Sequence, residues 1–153
     1  MIVYRIVNPD YAHDLSGIGA SLYGGRWNES GYPLLYTAET SSLAILEFLV
    51  HLKGVKGNLK YKLLTINLNS DDIADVKLLS KNWATDKTLT QGIGTKWIKS
   101  KSSVGLRVPS VHNPLESNIL ANPRHEGFNP NIERSDWYWF DGRLIPGMAE
   151  ANK

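Results

Sequence analysis

Hydrophobic and polar positions change period several times along this chain, and each change marks an element. Ile2, Tyr4 and Ile6 alternate with Val3, Arg5 and Val7 up to Asn8-Pro9, which predicts an opening strand, apolar on both faces and buried. A polar, glycine-rich stretch follows, with Gly17, Gly19, Gly24 and Gly25 spaced as a loop would be. The turn Gly31-Tyr32-Pro33 precedes a short apolar strand over 34–38. Thr40, Ser41 or Ser42 then offers a side-chain oxygen to cap a helix over 43–53 that stops at Gly54. Its apolar residues fall all round, so most of this helix is expected to be buried.

Beyond Gly57-Asn58 the pattern predicts a strand over 61–68, a short helix over 72–79 and a helix over 86–100 weakened by Gly92 and Gly94. A strand follows over 104–108, ended by Pro109-Ser110. The segment 115–122, bracketed by Pro114 and Pro123, fits either a strand or a helix. A last strand spans 137–145 with a break at Asp141-Gly142, and its Trp137 and Trp139 share one face as core or interface anchors. The elements add up to an α/β (α+β) fold in a single compact domain over 1–146, with a disordered tail over 147–153.

Composition narrows the chemistry. At 153 residues the chain is long enough for one sizeable core. Seventeen Lys and Arg against fifteen Asp and Glu give a net charge of +2, too little for the dense basic stripe of a nucleic-acid binder. The absence of cysteine removes thiolate nucleophiles and thiolate metal sites, and no histidine spacing makes a metal triad. No signal peptide or membrane span is read, so the expected location is the cytoplasm.

Three side chains stand out against that background. Arg26 follows Gly24-Gly25, where glycines let a phosphate approach a planar guanidinium; its ordinary counterpart is a surface arginine on a loop. Tyr36, at the end of a core strand, can stack on a flat heterocycle or simply fill the core. Glu47 interrupts the greasiest helix, and a carboxylate in such company must be paired, protonated or turned into a wet cleft. His51, four residues on, can orient Glu47 or touch a ligand. Ser110 ends a strand and suits a hydroxyl aimed into a cleft. A serine triad with His112 or His125 and Asp141 lacks the Gly-x-Ser-x-Gly turn. Arg26, Tyr36 and Glu47 are expected to converge on one cleft that holds a dinucleotide.

The order of motifs carries more than any one of them. Gly17-Ile18-Gly19-Ala20, Leu22-Tyr23-Gly24-Gly25-Arg26-Trp27-Asn28, Leu35-Tyr36-Thr37-Ala38-Glu39, Leu43-Ala44-x-x-Glu47-x-x-Val50-His51, Val108-Pro109-Ser110, Glu116-x-Asn118 and Asn122-Pro123-x-His125 together resemble the RES-domain family. That resemblance implies an ADP-ribosyltransferase-like split β-sheet core flanked by helices. It implies a bacterial toxin that consumes NAD as substrate, by hydrolysis or phosphorolysis of the nicotinamide–ribose bond or by ADP-ribosylating a protein. Arg26, Tyr36 and Glu47 match the family's essential residues, and His51, Ser110 and Gly25 line the same cleft by position. The implied partner is an Xre-type helix-turn-helix antitoxin blocking the cleft, with a homodimer as a further possibility. The chain departs from the family at His112-Asn113, where apolar residues are commoner, and at Glu126, where proline is common. The competing class is a nucleotide- or RNA-binding module without turnover, which the modest charge disfavours.

Overall fold

A computed structural model describes residues 1–52, 59–77 and 80–145. Seven strands form one sheet in the order β4-β5-β6-β2-β1-β3-β7. They are β1 (Ile2–Val7), β2 (Leu35–Ala38), β3 (Lys60–Asn67), β4 (Ile73–Asp75), β5 (Gly105–Pro109), β6 (Ser117–Ala121) and β7 (Asn131–Trp139). All neighbours are antiparallel except β4 and β5. Three α-helices accompany them: α1 (Ile18–Tyr23), α2 (Ser41–Leu49) and α3 (Lys87–Ser100).

Register decides what each face carries, because side chains alternate along a strand. One face presents Val3, Val7, Leu35, Leu64, Ile66, Ile119 and Ala121, which pack with Ala12, Leu15 and Phe128 from the loops. The other face holds two separate clusters. Ile6 and Ala38 lie under α2 with Leu43, Ala44 and Phe140, while Leu106, Val108 and Leu120 lie under α3 with Trp27, Trp97 and Ile98. Between the two helices Tyr36 and Asn118 are left on the sheet surface. Here the sheet also opens: β1 and β2 meet only at the pair Tyr4↔Ala38, whereas β1 and β3 pair along six residues.

Several elements differ from expectation for physical reasons. The segment read as a helix over 72–79 instead supplies β4, whose three residues pair in parallel with β5; its residues 78 and 79 lie outside the described residues. The segment 115–122 resolves as β6, paired on both sides. The last strand begins earlier, at Asn131, because an edge strand keeps polar side chains and so hides its period. Trp137 and Trp139 are not core residues: they are 45% and 59% exposed, and Lys60 and Lys62 set their ammonium groups over the Trp137 ring at 3.9 and 3.8 Å. Gly17 and Gly24 adopt φ of 70° and 69° around a short helix where only a loop is expected.

Helix α2 is capped by Thr40, whose hydroxyl accepts the Leu43 N–H at 3.1 Å, and ends at Leu49. The expected stop at Gly54 lies outside the described residues, as does the expected tail over 147–153. Only Leu43 and Ala44 of α2 are buried, so the greasy helix is more open than its composition suggests.

Candidate active site

The loop ahead of β2 is tied into one conformation by Asn28, which is fully buried. Its amide donates to the carbonyls of Ala20, Glu29 and Tyr32 at 2.8, 3.2 and 2.9 Å. Its Oδ1 accepts the Tyr36 hydroxyl at 2.7 Å, and that hydroxyl in turn accepts the Trp27 N–H at 2.9 Å. Gly25 must be glycine here, because a Cβ would overlap the Tyr36 hydroxyl. Burial pushes the Tyr36 phenol above the usual tyrosine range, offset in part by these bonds and by the charge of Arg26. The ring therefore stays neutral and fixed in orientation.

Helix α3 holds the same loop from the other side. Thr90 donates to the Arg26 carbonyl at 2.7 Å, and Gln91 donates to the Gly25 and Asn28 carbonyls at 2.8 and 3.3 Å. Gly94 lies so close to the Trp27 carbonyl that any Cβ would collide with it. Arg26 itself donates to the Ala84 carbonyl at 2.9 Å, using one of the five N–H donors of its guanidinium.

Glu47 comes from α2 on the opposite side. Its Oε1 accepts two hydrogen bonds, from Ser110 Oγ and Asn118 Nδ2, each at 2.7 Å. Its Oε2 stands 3.6 Å from His112 Nε2. Ser110 is buried, and its oxygen also accepts the N–H groups of His112 and Asn113 at 3.0 Å each. One proton given and two accepted exhaust that hydroxyl, so it is neither a free nucleophile nor a free donor to a ligand. The loop after it is stitched down: Asn113 donates to Glu116 Oε2 at 2.8 Å, and Thr40 donates to Glu116 Oε1 at 2.8 Å.

Two adjoining cavities open over this set. The larger, about 600 Å³, is lined by Gly24, Gly25, Arg26, Tyr36, Glu47, His51, Lys87, His112 and Asn118 among others. The smaller, about 210 Å³, lies where β1 and β2 part and is lined by Tyr4, Ile6, Ala38, Ala44, Phe48 and the four residues that both share, Tyr36, Glu47, His51 and Asn118. Arg26, Tyr36, Glu47, His51 and Gly25 thus line one space, and Ser110 touches it through Glu47. Among the described residues no group of His, Asp and Glu is arranged to hold a metal.

Asn118, Asn28, His112 and Lys87 complete the site; the sequence offers His112 only as a member of an unsupported serine triad and assigns no role to the other three. Asn118 has two signals: it belongs to the Glu116-x-Asn118 motif, and it is a polar residue on the same strand face as Leu120. Asn28 had none beyond its place after Arg26-Trp27. No described helix is long and apolar enough to cross a membrane.

Together these features define a mixed α/β domain whose single seven-stranded sheet and two flanking helices frame a polar cleft around one fixed carboxylate. The chain belongs to the RES domain family: the family's profile matches residues 2–141. It is similar to Toxin Res of Yersinia enterocolitica, 41% identical over 133 residues that cover 84% of this chain and 88% of that one. Toxin Res of Photorhabdus laumondii is 38% identical, with 95% and 97% covered. A protein of Sphingobium named Prs ADP-ribosylating toxin is 34% identical, with 88% of each chain covered. Among solved structures, the crystal structure of the M. tuberculosis MbcT–MbcA toxin–antitoxin complex has the same fold, with a TM-score of 0.74 at 19% identity over 90% of this chain and 84% of that chain.

Proposed function

We propose that this protein is the toxin of a toxin–antitoxin pair and that it acts by cleaving the nicotinamide–ribose bond of NAD. The observation that carries this reading is a single carboxylate, Glu47, that lines both cavities and is fixed through one oxygen by Ser110 and Asn118, with its other oxygen 3.6 Å from His112 Nε2. A cavity of about 600 Å³ falls in the range that holds small ligands and supplies Arg26 for a pyrophosphate. Nicotinamide is a good leaving group, so the site must bind, orient and stabilise positive charge on the ribose more than it must supply acid. The C1′–N bond breaks with its electron pair leaving on nicotinamide, and Glu47 offsets the charge left on the sugar, as carboxylates do in glycoside cleavage. Tyr36 offers a neutral ring face for nicotinamide or its ribose. Gly25 lets the ligand come close to the backbone, and His51 borders both cavities. Ser110 acts through Glu47.

The oxygen that attacks C1′ comes from water or phosphate. A second reading, transfer of ADP-ribose to a protein side chain, is favoured by the Sphingobium relative's name. The partner that restrains the toxin is an antitoxin of the Xre helix-turn-helix type, seated over the cleft mouth. Leu22 and Tyr23 of α1 offer it exposed apolar anchors, and Tyr23 also lines the larger cavity.

Incubating the purified protein with NAD, with and without phosphate, decides among these. Free nicotinamide with ADP-ribose or its phosphorylated form supports cleavage; label appearing on a protein supports transfer; NAD or RNA binding with no product leaves only a binding module.

A further inference from the structure

We propose that Asn118 is the positioning residue of the Glu47 carboxylate: with Ser110 it locks Oε1 and so reserves Oε2 for the sugar of the substrate. The inference deepens the reading of Glu47 given above and rests on it. Asn118 Nδ2 and Ser110 Oγ both reach Glu47 Oε1 at 2.7 Å. The amide orientation is forced, since an ionised carboxylate has no proton to give and only the NH2 end of Asn118 can face it. The terminal torsion of a glutamate is broad and roughly two-fold, so without these donors either oxygen could turn to the cavity. Two donors on one oxygen remove that freedom.

Both donors start from rigid places. Asn118 sits mid-sheet on β6, paired with Ala38 on one side and Val108 on the other. Ser110 is buried and bound to the His112 and Asn113 N–H groups. Glu47, in contrast, comes from a half-open helix and is 27% exposed, so its own backbone fixes it poorly. Oε2 has His112 Nε2 at 3.6 Å, an ion-pair distance when that imidazole is protonated but too long for a hydrogen bond, so it is the oxygen that can still accept from a ribose hydroxyl and face the charge that develops beside it. The other charged or titratable residues lining the larger cavity are Arg26, Lys87, His51, His112, Tyr23 and Tyr36; Tyr4 and Arg5 border the smaller.

The test compares Asn118→Ala and Asn118→Asp with the wild-type chain. In nicotinamide release, Asn118→Ala lowers kcat by about 10- to 100-fold, the worth of one hydrogen bond to a charged group, and leaves KM within about threefold. Asn118→Asp sets a second carboxylate against Oε1 and moves the acid limb of the pH profile upward. A second readout needs no turnover: in a crystal structure of NAD-free Asn118→Ala the Glu47 carboxylate leaves its single orientation or divides between two, whereas the wild-type chain holds one. A Glu47 carboxylate that keeps its single orientation in Asn118→Ala, or a loss that falls wholly on KM, overturns the proposal. If the wild-type chain releases no nicotinamide, the functional reading fails, and the carboxylate's orientation in Asn118→Ala still decides the role of Asn118.

Discussion

Helices α2 and α3 stand on the same face of the sheet, on either side of the cleft, and are held there by opposite means. α2 reads Ser-Ser-Leu-Ala-Ile-Leu-Glu-Phe-Leu and buries only Leu43 and Ala44. α3 carries two glycines, three threonines and a glutamine, yet buries Thr90, Gly94, Thr95, Trp97 and Ile98. The greasier helix is the more open because one of its sides borders the smaller cavity, which its Ala44 and Phe48 line. The more polar helix is the deeper because small residues let its backbone reach the loop that carries Arg26, and its hydroxyls and amide satisfy that loop's carbonyls. Composition reports what a helix could bury, and the partner it faces decides what it does bury.

The comparison predicts that α3 substitutions damage stability and α2 substitutions at the cleft damage activity. The largest stability loss is expected from Gly94→Leu, whose side chain has no room beside the Trp27 carbonyl. It should cost about 3 kcal/mol or more, read as a fall in chemical-denaturation midpoint. Asn28→Ala, which orphans carbonyls and the Tyr36 hydroxyl in the same loop, should cost about 2 to 3 kcal/mol by the same assay. Equal stability in either variant would mean that α3 and the loop are not the rigid half of the site.

Tyr36→Phe comes next, at about 1 to 2 kcal/mol, because the Trp27 N–H and Asn28 Oδ1 lose their shared partner. Its pH signature follows from the phenol's raised range. The unfolded chain loses this proton near the ordinary tyrosine value while the folded chain keeps it, so stability is full below about pH 10 and falls above it. In Tyr36→Phe that part of the alkaline loss should vanish from denaturation curves taken between about pH 9 and pH 11. Smallest of all is the stability change in Glu47→Gln, within about 1 kcal/mol. The Gln Oε1 still accepts from Ser110 and Asn118, and only the charge is lost.

The sequence made the cleft's outline readable and left its support hidden. Arg26, Tyr36 and Glu47 stood out because each sits against local expectation: a cation after two glycines, a phenol at a strand end, a charge in a greasy helix. Asn118 and Asn28 fall within recognisable motifs, but what each does exists only through contacts spanning 71 and 8 residues of chain. The parallel strand β4 escaped for a similar reason, since a three-residue strand has no period of its own and is defined by its pairing with β5. Gly94 was read as a weakness of α3, whereas it is the condition of that helix's closest contact.

The central claim is that a fixed negative charge faces the ribose from which nicotinamide departs. Its most direct test is nicotinamide release from NAD by the wild-type chain and by Glu47→Gln, with folding of both checked by thermal denaturation. The account predicts release by the wild type and a loss of at least about 1000-fold in a variant that unfolds at nearly the same temperature. Equal release by the two proteins would contradict it.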